Sequence, residues 1–353
     1  MFVFLIISTA TAGILSLLYG NTRYSKRKLS MQISFLLFVL YFIAMGFRNL
    51  NVGVDTISYY IIYNRVTRYD FLEIIKGVNE SIEIGYLLLM KICNLIIDSY
   101  FFFQVVVAGL YCFISYQVIS FSKMPIMACI VFLGTGELLI AFNITRQMLA
   151  AAIFCYGFIE VTKGHYRKTI FLYTICLLLH TTAIFAVICS VFWFFRNNKF
   201  LLYISPILAL GLTAISATLL MIFSNLYGDV YNNYLDNHKT IQTAGLVMVL
   251  WIIVFLISCY IIWNKKFNNT EKVMAIMPLL YVAFNIIGLK FNYAERMGVY
   301  FLPFIPLTIC YFIDHLSPRV LKSCFAVGSA ICFLFYFYIS TLTPQYNHYD
   351  FFF

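Results

Sequence analysis

Charge is what this chain has least of. Only 11% of its 353 residues are Asp, Glu, Lys or Arg, where soluble proteins carry about 25%. That excludes an ordinary soluble domain. With 63% hydrophobic residues it leaves a polytopic membrane protein. A helix needs about 20 residues to cross the hydrocarbon core, so spans and short loops use nearly the whole length. A single integral-membrane domain over 1–353 is expected, with long outer loops near 47–82 and 224–242. Acids are fewer than bases, 14 against 24, for a net charge of +10. The basic residues sit in short clusters between apolar runs, which signals topology, so no nucleic-acid partner is expected. No two of the ten Cys form a CxxC or CxxxC pair. They lie in or beside apolar segments and read as small buried hydrophobes, with no disulfide or metal framework. No His, Asp or Glu cluster has metal-ligand spacing, so neither metal nor cofactor is expected. No basic residue precedes the apolar run Met1–Gly20. Ala10-Thr11-Ala12 loosely resembles a cleavage site, but Arg23, Lys26, Arg27 and Lys28 follow, so a retained first span with its N-terminus outside is expected.

Apolar runs stand near 2–20, 30–46, 84–97, 101–121, 125–141, 146–162, 169–195, 200–223, 245–263, 273–289, 297–313 and 321–341. Strand-like alternation is absent, which argues against a barrel. Only helices otherwise satisfy the backbone in lipid, so the expected fold is all-α, with 10–12 transmembrane or re-entrant helices. Placing 21–29, 122–124, 163–168, 196–199, 264–272 and 314–322 inside puts 15 of the 24 basic residues there and, counting Glu160 just before 163–168, only Glu160, Glu271 and Asp314 among acids. Parity then makes two demands. The segment 84–97, with Lys91 and Asp98, should lie at the interface or dip in and return. The segment 169–195 should be a broken or re-entrant hairpin with His180-Thr181-Thr182 near its turn.

This topology brings the unusual polar residues to one side. The stretch Arg48-Asn49-Leu50-Asn51-Val52-Gly53-Val54-Asp55-Thr56 opens the first outer loop and Glu83 closes it. Arg146 and Gln147 begin the span 146–162, His180 marks the hairpin turn, and Lys290, Asn292, Glu295 and Arg296 precede the span 297–313. Asn225, Tyr227, Asp229, Tyr231, Tyr234, Asp236 and His238 lie on an outer loop too. Sidedness comes from the inner basic clusters alone, so the convergence is not assumed in assigning it.

At these residues the chain resembles the EpsG family of bacterial polysaccharide polymerases, relatives of Wzy-type O-antigen polymerases. The matching pieces are Arg48…Gly53-Val54-Asp55-Thr56…Tyr59, Glu83-Ile84-Gly85-Tyr86, Arg146-Gln147…Ala150, His180 and Asn292-Tyr293…Arg296. The resemblance implies a GT-C-like glycosyltransferase of the bacterial inner membrane with its site facing the periplasm. It implies substrates carried on undecaprenyl pyrophosphate, inversion at the anomeric carbon, and a chain-length regulator and a flippase as partner proteins. The polymer is left open among O-antigen, capsule and exopolysaccharide.

Within that reading Arg48, Arg146 and Arg296 form the pyrophosphate clamp, because the guanidinium fork binds phosphate oxygens bidentately. Gln147, Thr56 and Tyr59 are expected beside them as substrate-binding residues. The acceptor hydroxyl needs a carboxylate to take its proton. Asp55 is the first choice and Glu83 the second, with His180 as phosphate ligand, sugar ligand or proton shuttle. Each has a structural alternative. The arginines serve equally as interfacial anchors, Asp55 as a turn or helix cap, Glu83 as the cap of 84–97, and His180 as a satisfied core residue. Two other functions compete: a flippase or transporter of lipid-linked oligosaccharides, and a membrane acyltransferase. No internal repeat of the transporter kind is present, and His180 alone begins an acyltransferase constellation.

Overall fold

The computed structural model describes residues 1–18, 23–78, 80, 82–227, 244–289, 292–343, 346 and 349–352, and the side chains of these apart from 16–18, 23–26, 215–227, 244, 246 and 292–293. The elements run α1 Phe2–Leu18, α2 Arg23–Gly46, α3 Thr56–Val66, α4 Phe71–Lys76, α5 Ile84–Ile96, α6 Tyr100–Ser120, α7 Pro125–Gly134, α8 Glu137–Asn143 and α9 Thr145–Thr162. Then follow α10 Tyr166–Leu179, α11 Ala183–Cys189, α12 Lys199–Tyr227, α13 Ala244–Trp263, α14 Asn269–Gly288, α15 Asn292–Gly298, α16 Ile305–His315 and α17 Arg319–Thr341. Among the described residues there is no strand, only one antiparallel bridge between Arg48 and Phe351. The protein is an all-α, multi-pass membrane protein.

Fewer helices cross at full length than the apolar runs suggest. Among the described residues five are long and apolar enough: 27–46, 100–120, 269–288, 294–315 and 319–341. A sixth arises if α7 and α8, bent by 49° at Thr135-Gly136, count as one. The run 125–141 is therefore bent in the middle, as a broken span or a re-entrant loop. Gly136 takes the left-handed conformation there, φ 77°, and Glu137 turns into the interior beside Thr135. The run 84–97 forms the 13-residue α5, about 20 Å long and short of the roughly 30 Å core. The run 169–195 is interrupted where expected. α10 ends at Leu179, His180 is extended, and α11 starts at Ala183.

α9 lies at the centre and is buried on nearly every side, packed against α6 and α10 and against the 3-10 turn Val299–Phe304. Its Ala150-Ala151-Ala152 step admits close neighbours, and Cys176 Sγ reaches Ala150 O at 3.1 Å. α17 is mostly exposed at the periphery and carries Cys324 and Cys332; the other eight cysteines are buried or half-buried.

Four of the six basic clusters expected inside meet in one region, those at 122–124, 163–168, 264–272 and 314–322. Lys123 pairs with Asp314 at 3.3 Å and reaches Glu271 at 4.0 Å, and Lys322 pairs with Asp314 at 2.7 Å. Lys163 pairs with Glu160 at 2.8 Å and stands over the Phe121 ring. Arg146 begins α9 and Glu160 lies near its far end, about 20 Å away at helical rise.

Candidate functional site

The loop 47–55 is fixed before any substrate arrives. Gln104 Nε2 donates to the carbonyls of Gly46 and Arg48, both at 2.9 Å. Tyr100 Oη donates to Thr56 O at 3.2 Å, and Asn143 Oδ1 accepts from Val54 N at 2.8 Å. From the other side Asn49 N donates to Asp350 O and Phe352 N to Phe47 O, each at 2.9 Å. Gly53 sits at φ 94°, where a side chain is strained, and a Cβ there would stand 2.4 Å from Phe142 O. That close approach explains the glycine: it lays the loop directly on the segment that leads into Arg146.

Arg48 lies beneath the loop and not at the site. Its side chain is fully buried and its donors go to Met45 O at 2.5 Å, Val52 O at 3.3 Å, Phe142 O at 3.4 Å and Thr145 Oγ1 at 3.5 Å. The guanidinium donates to the carbonyls of a turn and a helix break, buried acceptors that need partners. Thr56 has a related task, with its hydroxyl on Val52 O at 2.8 Å. Arg48→Ala is expected to strand several buried acceptors at about 1–3 kcal/mol each. Little folded protein should survive detergent extraction, read by size-exclusion chromatography and thermal unfolding. Arg48→Lys should rescue poorly, because an ammonium cannot reproduce the planar fork.

Asp55 and Glu83 both sit at helix N-termini, yet neither caps its helix with its side chain. The capping alternative is therefore not realised for either. Asp55 is half-buried, and its carboxylate has no hydrogen-bond or ion-pair partner among the described residues. Burial pushes its carboxyl up from the usual range, and the charges of Arg296 and Arg146 pull the other way. Tyr59, one turn further along α3, feels the charges of Arg146, Asp55 and Glu83. Burial pushes its hydroxyl up to about 12, so it stays a hydrogen-bond donor at neutral pH.

Glu83 is held by four donors from three directions. Its Oε2 accepts from Arg146 Nη1. Its Oε1 accepts from His180 Nδ1 at 2.5 Å, Thr181 N at 3.1 Å and Thr181 Oγ1 at 3.3 Å. Burial alone would raise this carboxyl. The hydrogen bond from His180 and the charges of Arg146 and His180 overcome it and bring Glu83 down to about 2. With Glu83 ionised, Nδ1 of His180 must be the donor. The crossing of α5 and α10 is tight here, since a Cβ on Gly85 would stand 2.6 Å from Leu178 O. This is the physical reason for the Glu83-Ile84-Gly85 piece.

Arg146 occupies the second position of α9, where a cation adds to the positive end of the helix dipole. No acid occupies that first turn. Gln147 Nε2 donates to Arg296 O and ties α9 to α15, whose Arg296 is exposed. Thr182 Oγ1 and Tyr300 Oη lie 2.9 Å apart and link the 180–182 turn to the segment after α15.

Seven expected site residues thus share one region: Asp55, Tyr59, Glu83, Arg146, Gln147, His180 and Arg296. Arg48 and Thr56 support it from below. Asn143, Thr181 and Tyr300 were not singled out as site residues from the sequence. Asn143 and Thr181 stand at breaks in apolar runs, which is the signal that marks them. Asn225 and Tyr227, expected on an outer loop, fall in the last turn of α12, and their side chains lie outside what is described. Asp229, Tyr231, Tyr234, Asp236, His238 and Lys290, with the side chain of Asn292, lie outside the described residues. Chemically the region offers two guanidiniums, that of Arg296 exposed, and two carboxylates, of which that of Asp55 has no partner among the described residues.

The family model described as EpsG family matches residues 2–352 of this chain. No curated protein and no solved structure matches it.

Proposed function

The chain belongs to the EpsG family, and from that premise we propose that it joins polyprenyl-diphosphate-linked oligosaccharide repeat units into a polysaccharide. The family is Wzy-type polymerase-like, so a polysaccharide polymerase-like membrane protein stands at family level. The finer reading is an inverting glycosyl transfer on undecaprenyl pyrophosphate carriers, at the periplasmic face of a bacterial inner membrane.

One observation carries it. Asp55, a carboxylate with no partner among the described residues, stands in the field of Arg146 and Arg296, beside the Glu83–Arg146–His180 cluster. The acceptor hydroxyl attacks the anomeric carbon and its proton passes to Asp55. The bond from that carbon to the diphosphate oxygen breaks, and its electron pair leaves on the diphosphate. Arg146 and Arg296 hold the charge that builds there, which is worth most in a poorly solvated site. Glu83 is the weaker base, because its lone pairs are already filled and its affinity for a proton is low. Tyr59 supplies a hydroxyl donor or an aromatic face for a sugar.

The cellular test is deletion of the gene, read on a polysaccharide gel. The expected result is one repeat unit per carrier or core, with the ladder lost. Complete loss of surface sugar with lipid-linked units kept inside would replace this reading with a flippase. An intact ladder with altered decoration would replace it with an acyltransferase.

A further inference from the structure

The donors that surround the Glu83 carboxylate are those a phosphate uses: a guanidinium, an imidazole, a backbone N–H and a hydroxyl. They come from the start of α9, the end of α10 and the turn that follows it. Glu83 comes to them from a fourth element, the loop closing onto α5. We infer that Glu83 is a displaceable internal anion, which occupies the cradle of Arg146, His180 and Thr181 at rest and yields it to a phosphate of the diphosphate substrate. The inference rests on the proposed role of Arg146 as a diphosphate residue.

Three features make the exchange feasible. The cluster is reachable from water, with side-chain exposures of 14% for Glu83, 17% for Arg146 and 15% for His180. The Arg146 guanidinium gives Glu83 one N–H, and its other guanidinium N–H groups make no hydrogen bond among the described residues, so a bidentate ligand gains contacts that Glu83 does not use. The displaced carboxylate also has somewhere to go. Glu83 is the N-cap residue of α5 in an extended conformation and leaves the first N–H groups of that helix without a side-chain cap. A carboxylate turned onto them is favoured by the helix dipole. Two resting places for one carboxylate make a two-state element that a polyanion biases and a monoanion biases less. The cradle is thereby closed to stray anions and opened by the diphosphate. An apparent affinity is reduced by the fraction of protein whose site is free, so a tethered competitor lowers diphosphate affinity by design.

The test measures inorganic pyrophosphate binding to the purified full chain in a phosphate-free maltoside detergent, by calorimetry and by the shift in unfolding temperature. Glu83→Gln keeps the shape and an acceptor oxygen for His180 and Thr181 but removes the charge. It is expected to bind pyrophosphate about tenfold tighter or more, while Arg146→Ala loses binding. Glu83→Asp keeps the charge at shorter reach and should fall between wild type and Glu83→Gln. It also serves as the deciding variant if Glu83→Gln does not fold: tighter binding than wild type upholds the inference, and equal or weaker binding overturns it. Glu83→Gln binding no tighter than wild type, with Arg146→Ala still losing it, would overturn the internal-anion role and keep Arg146 on the diphosphate. Unchanged binding in Arg146→Ala would overturn both.

Discussion

Arg146→Ala should reduce repeat-unit transfer by about 10²–10³-fold, the usual loss when one preorganised stabiliser of developing charge is removed. Folded protein should remain. Glu83 keeps His180 Nδ1 and both Thr181 donors in this variant, so no buried charge is stranded. The lost ion pair is partly exposed and worth on the order of 1 kcal/mol. Transfer measured on purified, monodisperse protein, with its unfolding temperature recorded alongside, separates chemistry from folding. Arg146→Lys should recover a minor part of the activity, since a single ammonium cannot grip two phosphate oxygens as the fork does. Near-normal chain lengths in Arg146→Ala would remove Arg146 from the transfer step. Arg48→Ala should behave differently. Both are arginines of the same sequence signature, yet one variant is expected to fold without working and the other not to fold.

Asp55→Asn should lower transfer by about 10²–10⁴-fold, the span that general base catalysis contributes. The same change should leave the unfolding temperature at neutral pH equal to or above that of wild type. The sign follows from linkage. Burial raises the folded-state pKa of Asp55, so the folded chain holds that proton more tightly than the unfolded one. Stability associated with Asp55 is then present at low pH and lost as pH rises through the raised value. At neutral pH the ionised carboxylate is a cost that Asn does not carry. Activity has the opposite slope, because the base must be ionised. Transfer should fall as pH drops through a value above the ordinary Asp range. Arg296→Ala should move that acid limb to higher pH, since the Arg296 charge now holds the Asp55 pKa down. Full transfer by Asp55→Asn, or an acid limb unmoved by Arg296→Ala, would send the base role elsewhere. Glu83 behaves in the reverse sense. Its carboxyl is lowered to about 2, so its stabilising contribution persists until pH falls from the ordinary Glu range toward 2, and it does not set the acid limb.

The sequence by itself determined the class, the helical content and the rough location of the site. Scarce charge and long apolar runs leave no other solvent for this chain than lipid, and lipid admits only backbone that is satisfied locally. The inner basic clusters fixed which polar residues share an end, because that depends on charge alone. The break at His180-Thr181-Thr182 was legible for the same reason, since parity forbids a straight span between two basic flanks. What the tertiary structure decided is which of those residues touch. Composition does not distinguish Arg48 from Arg146, as both follow or begin an apolar run. Only packing shows that Arg48 is enclosed by carbonyls of its own turn and of the break at Phe142, while Arg146 opens toward Glu83. Periodicity likewise marks Asp55 and Glu83 as helix caps. Their carboxylates leave the caps because cations from segments far away in sequence outbid the local N–H groups at Glu83, and because the fixed loop holds Asp55 short of any partner among the described residues. Local pattern sets secondary structure through neighbours a few residues away. A charge cluster forms from residues 63 to 98 positions apart, and only the folded chain brings them within hydrogen-bond distance.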